Sequence, residues 1–375
     1  MINSKDFYNG LRNRGINFFT GVPDSLLANF CEYIDKVTDR QNHYIAINEG
    51  ASVALAMGHF MKSGSPSLVY LQNSGLGNTV NPLLSLADSR VYSIPMLLLV
   101  GWRGEPGVSD EPQHIKQGDV TEAMLKSMKI DYLIMDAESD IDEVLSISFK
   151  RMQETSSPFV ILVRKSTFSS EDKREKTSQF ELSREEAIQI IINNAEEGDA
   201  FVSTTGKTSR ELFESRASRG NNCDDFLTVG GMGHASSIAM GIKLAGHHNK
   251  VFLIDGDGAF LMHMGASASI GTSNINNFMH VILDNGCHES VGGQKTISRS
   301  INFELISKGF GYPSYFKASN RHELEQIMNN QRNSKDLTML HVMINASARS
   351  DLGRPTSSPI QNKNMFIKLL KQKND

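Results

Sequence analysis

The residues best suited to chemistry lie in two short segments in the second half of the chain. In IDGDG (254–258) an apolar strand runs directly into Asp257 between two glycines. Glycines let backbone N–H groups approach a phosphate, and the helix that follows offers its N-terminus to the anion. A carboxylate in the same turn suits an accompanying Mg²⁺. In LDNG (283–286) a second apolar strand ends at Asn285. Together the segments indicate a site for a phosphate and a divalent cation.

The spacing of these two segments carries more information than either one alone. A GDG sequence by itself is also typical of a tight turn. Residues 259–284, which separate Gly258 from Asn285, are enough for one strand–helix–strand unit. Because ligands bind at the carboxyl ends of parallel strands, we expect Asp257 and Asn285 to emerge from neighbouring strand ends and share one metal ion.

Composition and charge narrow the classes of function. The 38 basic and 42 acidic residues give a net charge of −4 without a polybasic run. Binding of nucleic acid or of an anionic membrane through bulk charge is therefore not expected. The isolated cysteines Cys31, Cys223 and Cys287 argue against a zinc site or disulfide framework. They fit a cytoplasmic protein, as does an N-terminus without the apolar core of a signal peptide.

Short apolar runs alternate with longer helical stretches, which is typical of parallel sheets flanked by helices. The polar stretch 165–179 lacks periodicity, and Ser183 with Glu186 then forms a capping-box pattern. We predict an α/β protein with domains at 1–168 and 182–375 and a linker at 169–181. At ~150 residues per domain, a chain of 375 residues allows two or three. The predicted strands are 17–21, 44–47, 67–72, 96–100, 132–136, 159–163, 200–203, 251–255, 280–284 and 341–345.

We call the two segments IDGDG (254–258) and LDNG (283–286), with Cys287, the metal loop. Their pattern resembles that of the thiamine diphosphate-dependent decarboxylases. In that family an Asp, an Asn and a backbone carbonyl two residues further on hold Mg²⁺ and the diphosphate. The resemblance assigns these roles to Asp257, Asn285 and the carbonyl of Cys287. Asp284 stands where the family usually has another Asn, at a position that is not a ligand. The residues implied to lie beside the diphosphate are Gly256, Asp257, Gly258, Ala259 and Asn285.

The resemblance also requires a carboxylic acid for the aminopyrimidine of the cofactor. Glu49 follows the predicted strand 44–47 and precedes a helix rich in Ala and Gly. A carboxyl group bonded to a pyrimidine nitrogen promotes deprotonation of the thiazolium. An isolated Glu is more often a solvated side chain, but the position at a strand end favours the catalytic interpretation.

A second implied contact bends the cofactor so that its own amine reaches the thiazolium. Met232, framed by glycines, is the candidate for the bulky support under the two rings, and the Gly230 carbonyl is the candidate acceptor for the aminopyrimidine. The alternative for Met232 is a flexible filler of the core, which is the commonest use of methionine.

Further segments extend the resemblance over nearly the whole chain. They look like the branch of the family that decarboxylates 2-oxo acids with an anionic group on the third carbon. A fused chain with DEPQH and DLGRP favours 3-phosphonopyruvate, converted to phosphonoacetaldehyde and carbon dioxide in phosphonate biosynthesis of the 2-aminoethylphosphonate type. Sulfopyruvate is the alternative substrate. The segments are TGVPDSLL, NEGASVALAMG, QNSGLGN, DEPQHIKQG, TTGKTSREL, GGMGHASS, LDNGCHESVGGQ and RSDLGRP.

Such a substrate requires local cations or hydrogen-bond donors. Ser25, Gln113 and Lys207 are the candidates for binding it, with Lys207 facing either the substrate anion or the cofactor diphosphate. Asp24 is the candidate for assisting protonation after carbon dioxide leaves, although an Asp after a proline can also stabilise a turn. His114 is a candidate for proton transfer or, alternatively, a histidine of a surface loop.

The sequence lacks the glycine patterns of two other classes of nucleotide-binding site. GKT (206–208) is not a phosphate-binding P-loop, because the glycine required five positions earlier is Phe201. GLG (75–77) lacks the third glycine of a nicotinamide dehydrogenase, since position 80 is Val. An acyloin-forming transferase with the same cofactor remains open, and a non-catalytic binding protein would not need Glu49.

The resemblance has a consequence for assembly. In this family the Glu on the pyrimidine side and the metal loop normally come from different subunits. The implied active unit is therefore at least a homodimer. His263 and His288 lie near the metal loop in sequence, but we do not assign them to the metal because magnesium disfavours nitrogen ligands.

Overall fold

The computed structural model describes residues 1–169, 179–218 and 224–371. The chain divides into two compact units, Met1–Arg174 with Val291–Gln294 and Glu175–Ser290 with Lys295–Asp375. Cys223, most of the predicted linker 169–181 and the last residues of the predicted second domain lie outside the described residues. None of the helices in these described ranges is long and apolar enough to cross a membrane.

The first unit contains a six-stranded parallel sheet with strand order β2-β1-β3-β4-β6-β5. Its strands are β1 (Phe19–Gly21), β2 (His43–Ile45), β3 (Leu68–Gln72), β4 (Leu97–Gly101), β5 (Asp131–Met135) and β6 (Phe159–Val163). Its helices are α1 (Ser4–Asn13), α2 (Ala28–Val37), α3 (Glu49–Ser63), α4 (Leu76–Pro82), α5 (Pro112–Met128) and α6 (Ile141–Thr155).

Alternation along the central strands builds two cores in this unit. Leu68 and Tyr70 of β3 pack into one cluster with residues of α1, α2 and α6, whereas Val69 and Leu71 pack into another with α3, α4 and α5. Successive side chains of a strand point to opposite faces of the sheet, so a strand covered on both faces is apolar at every position. This explains why β3, β4 and β6 are continuous apolar runs in the sequence.

The second unit repeats the architecture with strand order β11-β12-β10-β9-β7-β8, again with every strand pair parallel. Its strands are β7 (Ala200–Ser203), β8 (Phe226–Leu227), β9 (Val251–Gly256), β10 (Phe278–Asp284), β11 (Ser314–Ala318) and β12 (Leu337–Met343). Its helices are α7 (Arg184–Asn193), α8 (Lys207–Ala217), α9 (Ala235–Leu244), α10 (Asp257–Met262), α11 (Gly265–Thr272), α12 (Phe303–Phe310), α13 (Arg321–Gln331) and α14 (Pro359–Lys371).

The predicted α/β class with parallel sheets flanked by helices is confirmed, while several element limits were wrong. The predicted strand 44–47 is β2 and ends at Ile45, and the predicted strand 341–345 belongs to β12, which begins at Leu337. The strands β8 and β11 were missed. β8 has two residues, and β11 is a partly exposed edge strand without a continuous apolar run. The capping box of Ser183 and Glu186 is present at the start of α7.

Candidate active site

The candidate catalytic and binding residues follow the carboxyl ends of the strands in both units. In the first unit Asp24 follows β1, Glu49 follows β2 and Arg103 follows β4. In the second unit Asp257 follows β9, and Asn285 follows the neighbouring strand β10. The parallel arrangement brings these strand ends to one edge of each sheet, which is where α/β proteins bind ligands.

Glu49 is buried at the start of α3. The Asn48 side chain caps this helix by accepting from the Ala51 N–H at 2.8 Å. The Glu49 carboxyl group is 7% exposed and accepts from Asn78 Nδ2 at 2.7 Å. Burial raises the pKa of Glu49, and the Asn78 bond offsets part of this rise. A Cβ at Gly75 would lie 2.4 Å from Glu49 Oε1, so only glycine leaves room for the carboxyl group there.

Asp24 is fully buried in the same unit. Its carboxyl group accepts from Gln72 Nε2 at 2.6 Å and from the Leu26 N–H at 2.9 Å. Burial is the largest effect on its pKa and raises it in spite of these bonds. The bond to Leu26 is the local turn contact of the structural alternative, whereas the bond to Gln72 ties the carboxyl group to the end of β3.

Arg103 is a residue that the sequence reasoning missed. Its Nε donates to Asp110 Oδ2 at 2.7 Å, its second terminal nitrogen bonds the other oxygen of Asp110, and NH1 donates to Ser25 Oγ at 2.8 Å. The available signal was a cation placed directly after the apolar strand β4. The structure thus brings the predicted substrate residue Ser25 into contact with a guanidinium group.

His114 lies in the first turns of α5, so the alternative of a loop histidine is wrong, and the predicted substrate residue Gln113 precedes it. Burial lowers the pKa of His114, and the nearby positive charge of Arg103 lowers it further. Its Nδ1 is a buried atom without a hydrogen-bond partner among the described residues. A Cβ at Gly104 would lie 1.9 Å from the His114 carbonyl oxygen, so the loop after Arg103 packs tightly on α5.

Asp257 begins α10 in the second unit and is 3% exposed. Thr296 Oγ1 donates to its Oδ2. Burial and the neighbouring charge of Asp284 raise the pKa of Asp257 to about 7. A carboxylate in this position needs a nearby positive charge to stay ionised at neutral pH, and a divalent cation supplies one. The site therefore fits a bound Mg²⁺.

The remaining residues of the metal loop form a compact turn. Asn285 Oδ1 accepts from the Cys287 N–H at 3.1 Å. Asp284 is buried and accepts from His341 Nε2 at 2.8 Å and from Ser298 Oγ at 2.8 Å, and His341 is the main reason that its pKa is lowered despite burial. These bonds suit the position that the resemblance does not assign to the metal. No group of three or more His, Cys, Asp or Glu side chains that could hold a metal occurs among the described residues.

Met232, which has a glycine on either side, lies beside Gly258, one of the residues predicted to contact the diphosphate. A Cβ at Gly258 would lie 3.3 Å from Met232 Cε and 3.3 Å from His288 Cε1. Met232 is half-buried and belongs to neither hydrophobic core of its unit. Gly231 and Gly233 on either side of it have φ values of 65° and 83°, which favour glycine. The structure therefore brings Met232 close to Gly258 at the start of α10. Gly230 lies in the same loop as Met232, Gly256 ends β9, and Ala259 follows Gly258 in α10.

Lys207 is paired within its own unit. Its Nζ donates to Glu289 Oε1 at 2.7 Å, and Glu289 also pairs with the buried Arg184. Asn285 Nδ2 lies 3.4 Å from Glu289 Oε2, so this ion network reaches the metal loop. Glu289 and Thr296 were missed by the sequence reasoning because neither stands directly after a strand. The substrate role of Lys207 stays a prediction.

Comparison with known proteins finds relatives of both units of the chain. Two family models match the chain, the N-terminal TPP binding domain of thiamine pyrophosphate enzymes at residues 3–129 and their C-terminal TPP binding domain at residues 205–342. Thiamine pyrophosphate (TPP) is the same compound as thiamine diphosphate.

Curated relatives match both long and short parts of the chain. Phosphonopyruvate decarboxylase of Streptomyces viridochromogenes is 29% identical over 96% of this chain and 93% of its own. Sulfopyruvate decarboxylase subunit beta of Methanocaldococcus jannaschii is 40% identical over 34% of this chain and 66% of its own. Sulfopyruvate decarboxylase subunit alpha of Methanothermobacter thermautotrophicus is 31% identical over 39% of this chain and 88% of its own.

Proposed function

The chain belongs to the thiamine diphosphate-dependent 2-oxo acid decarboxylases, and we propose that it converts 3-phosphonopyruvate to phosphonoacetaldehyde and carbon dioxide with Mg²⁺ as the metal. The observation that carries this choice of substrate is the match to a phosphonopyruvate decarboxylase through nearly the full length of both chains. The reaction belongs in phosphonate biosynthesis, where loss of carbon dioxide pulls forward an unfavourable step that forms a carbon–phosphorus bond.

The proposed cofactor site combines residues of the first unit of one subunit with residues of the second unit of its partner. When bound, thiamine diphosphate supplies the electron sink that a 2-oxo acid needs to release its carboxylate as carbon dioxide. Glu49 would contact the aminopyrimidine of the cofactor, and Asp257, Asn285 and the Cys287 carbonyl would hold Mg²⁺. The residues proposed along the rest of the cofactor are Gly230, Met232, Gly256, Gly258 and Ala259.

The acidic residues of the first unit are suited to moving protons. Burial raises the pKa of the Glu49 carboxyl group, which favours the protonated form that can donate to a ring nitrogen of the cofactor. Asp24 is buried with its pKa also raised, and its carboxyl group can deliver a proton to the carbon that has lost carbon dioxide. His114, whose pKa is lowered, is neutral at pH 7 and can accept a proton. Ser25 and Gln113 would bind the substrate.

Carbon dioxide release tests the proposal. The purified protein is assayed with phosphonopyruvate in the presence and absence of thiamine diphosphate and Mg²⁺, and phosphonoacetaldehyde is identified by phosphorus NMR. We expect equal amounts of the two products and a strict need for both additions. Consumption of phosphonopyruvate without these products, or turnover that does not depend on thiamine diphosphate, would contradict it.

Sulfopyruvate is the second candidate substrate, because the subunit beta relative has the higher identity over its shorter match. Comparing kcat/KM for the two acids in one assay decides between them, and a preference for sulfopyruvate would replace the first proposal. Adding an acceptor aldehyde to the same assay tests the acyloin-forming alternative, which requires a product with a new carbon–carbon bond.

We also propose that the active unit is a homodimer in which one subunit supplies Glu49 and its partner supplies the metal loop. Two inactive variants, Glu49→Gln and Asp257→Asn, are mixed under conditions that exchange subunits. Half of the dimers formed are mixed and carry one intact site of two, so about a quarter of wild-type activity should return. No recovery in mixtures shown to contain mixed dimers would place both residues of each site on the same subunit.

A further inference from the structure

Arg103 is held rigidly at the carboxyl edge of the first sheet. Its Nε and one terminal nitrogen bind the two oxygens of Asp110, and Asp110 is itself fixed by the Gly104 N–H at 2.8 Å and the Glu111 N–H at 2.8 Å. NH1 donates to Ser25 Oγ at 2.8 Å. The Arg103 side chain is 20% exposed, so it is largely buried but not closed off from solvent.

The hydrogen bonds of Arg103 leave two of its N–H donors for a ligand. A guanidinium group has five N–H donors, and three of them are used by Asp110 and Ser25. In the described part of the chain the other two, one on each terminal nitrogen, donate to no residue. Charged N–H donors of this kind bind the oxygens of a phosphonate, sulfonate or carboxylate.

The backbone around Arg103 connects it to Glu49. Asn73 Nδ2 donates to the Arg103 carbonyl at 2.8 Å, and the Arg103 N–H donates to Asn73 Oδ1 at 3.1 Å. Gly75, two residues after Asn73, packs against the Glu49 carboxyl group. On the other side of Asn73, Gln72 binds Asp24. Residues 72–75, the last residue of β3 and the three that follow it, therefore connect the backbone of Arg103 to both buried acids of the unit.

The chemistry of the substrate requires a group of this kind. The proposed substrates carry an anion on the third carbon in addition to the 2-oxo acid, and an uncharged donor such as Ser25 alone does not distinguish them from pyruvate. We propose that Arg103 is the specificity-determining residue that binds this third-carbon anion, with Asp110 and Ser25 holding the guanidinium group in orientation. The inference rests on the proposed function.

Comparing substrates with and without the anion tests this role. The values of kcat/KM for phosphonopyruvate, sulfopyruvate and pyruvate are measured for the wild type, Arg103→Gln and Arg103→Lys. Arg103→Gln should lose about 100-fold with the two anionic substrates and change little with pyruvate, because only the former need the charged hydrogen bonds. Arg103→Lys should recover part of the loss. Calorimetric binding of 3-phosphonopropionate, which lacks the keto group, should weaken in parallel.

Arg164 supplies the matched control. It lies in the same unit, pairs with Glu105 at 2.8 Å and with Asp136 at 3.4 Å, and is 42% exposed. Arg164→Gln removes a comparable cation and should alter none of the substrate ratios.

Three results would overturn the inference. Arg103→Gln could reduce kcat/KM equally for pyruvate and phosphonopyruvate, with the same result for Asp110→Asn. The Arg103–Asp110 pair would then stabilise the fold and not select the substrate. Arg103→Gln could instead leave phosphonopropionate binding and the ratio of kcat/KM between the anionic substrates and pyruvate unchanged. With an active wild type, this result would reject the role of Arg103 and leave the proposed function intact. A wild type that releases carbon dioxide from neither anionic substrate would reject the proposed function and this inference with it.

Discussion

The two units place acidic residues at the same edge of the same kind of sheet and surround them differently. In the first unit, Glu49 and Asp24 accept hydrogen bonds from the neutral amides of Asn78 and Gln72, and burial raises the pKa of both acids. In the second unit, Asp284 and Glu289 are paired with arginine, lysine or histidine side chains, and the pKa of both acids is lowered. The partners of the second pair are His341, Arg299, Arg184 and Lys207.

This difference separates two uses of a buried carboxyl group. Amide neighbours satisfy the oxygens without supplying charge, so burial favours the neutral acid and leaves a proton to exchange. Cationic neighbours favour the ionised form and give a fixed negative charge. The first arrangement suits proton transfer, and the second suits a rigid support for a metal loop. Asp257 is in the second unit but resembles the first case, because its neighbours are hydroxyl groups and another carboxylate and its pKa is raised.

The largest expected effect comes from the first unit. Glu49→Gln keeps the shape and the bond to Asn78 but removes the exchangeable proton, so decarboxylation should fall by about 1000-fold while thiamine diphosphate binding is retained. Steady-state rates and calorimetry of cofactor binding measure the two effects. The exposed Glu138→Gln is the matched control and should behave as wild type. A Glu49→Gln variant with near wild-type rates would reject the proposed role of Glu49 in proton transfer.

In the second unit, Asp257→Asn should act on the metal rather than on proton transfer. Losing the proposed charged ligand should weaken Mg²⁺ binding by more than about 100-fold, which a Mg²⁺ titration of thiamine diphosphate binding detects. High Mg²⁺ should restore part of the activity, whereas it should not rescue Glu49→Gln. If Mg²⁺ rescued both variants equally, the contrast between the units would be lost.

Thr296→Val tests the hydroxyl support of the same carboxylate. The substitution removes the donor to Asp257 without removing a ligand, so Mg²⁺ affinity should fall by roughly 10-fold. The same Mg²⁺ titration measures it, and Thr272→Val, on an exposed helix surface of the same unit, is the control. A loss as large as that of Asp257→Asn would mean that the loop itself depends on Thr296.

The smallest effect concerns stability. The pKa of Asp24 is raised in the folded chain above its ordinary value of 3.8. The folded chain therefore keeps a proton that the unfolded chain loses, and stability falls as pH rises from that ordinary value through the raised pKa. Asp24→Asn removes this penalty but replaces one of the two accepting oxygens with an amide nitrogen, a loss that does not depend on pH. The change in melting temperature caused by the substitution should therefore be more favourable at pH 7 than near pH 4, by roughly 2–4 °C. Thermal unfolding at both pH values tests this, with the exposed Asp39→Asn as control, and an equal change at the two pH values would contradict it.

Local pattern was enough to determine the fold class and the candidate loops. A buried parallel strand is apolar at every position, and the chain leaves such a strand through glycine and polar residues, so IDGDG and LDNG identify strand ends without any structure. The edge strand β11 escaped this reasoning because one exposed face removes the continuous apolar run. The position of Glu49 directly after a short strand was available for the same local reason.

Only the tertiary structure decided which side chains surround these loops. Arg103 reaches Ser25 across 78 positions, Lys207 reaches Glu289 across 82, and Thr296 reaches Asp257 across 39. Asp257 and Thr296 follow the adjacent strands β9 and β10. Ser25 and Arg103 follow β1 and β4, and Lys207 and Glu289 follow β7 and β10, and in each case one other strand lies between the two. Each pair therefore depends on a sheet order that brings the ends of strands distant in sequence to the same edge. The residue types at the strand ends were thus determined by the sequence alone, while their protonation and charge balance depend on neighbours that only the folded sheets bring within hydrogen-bond distance.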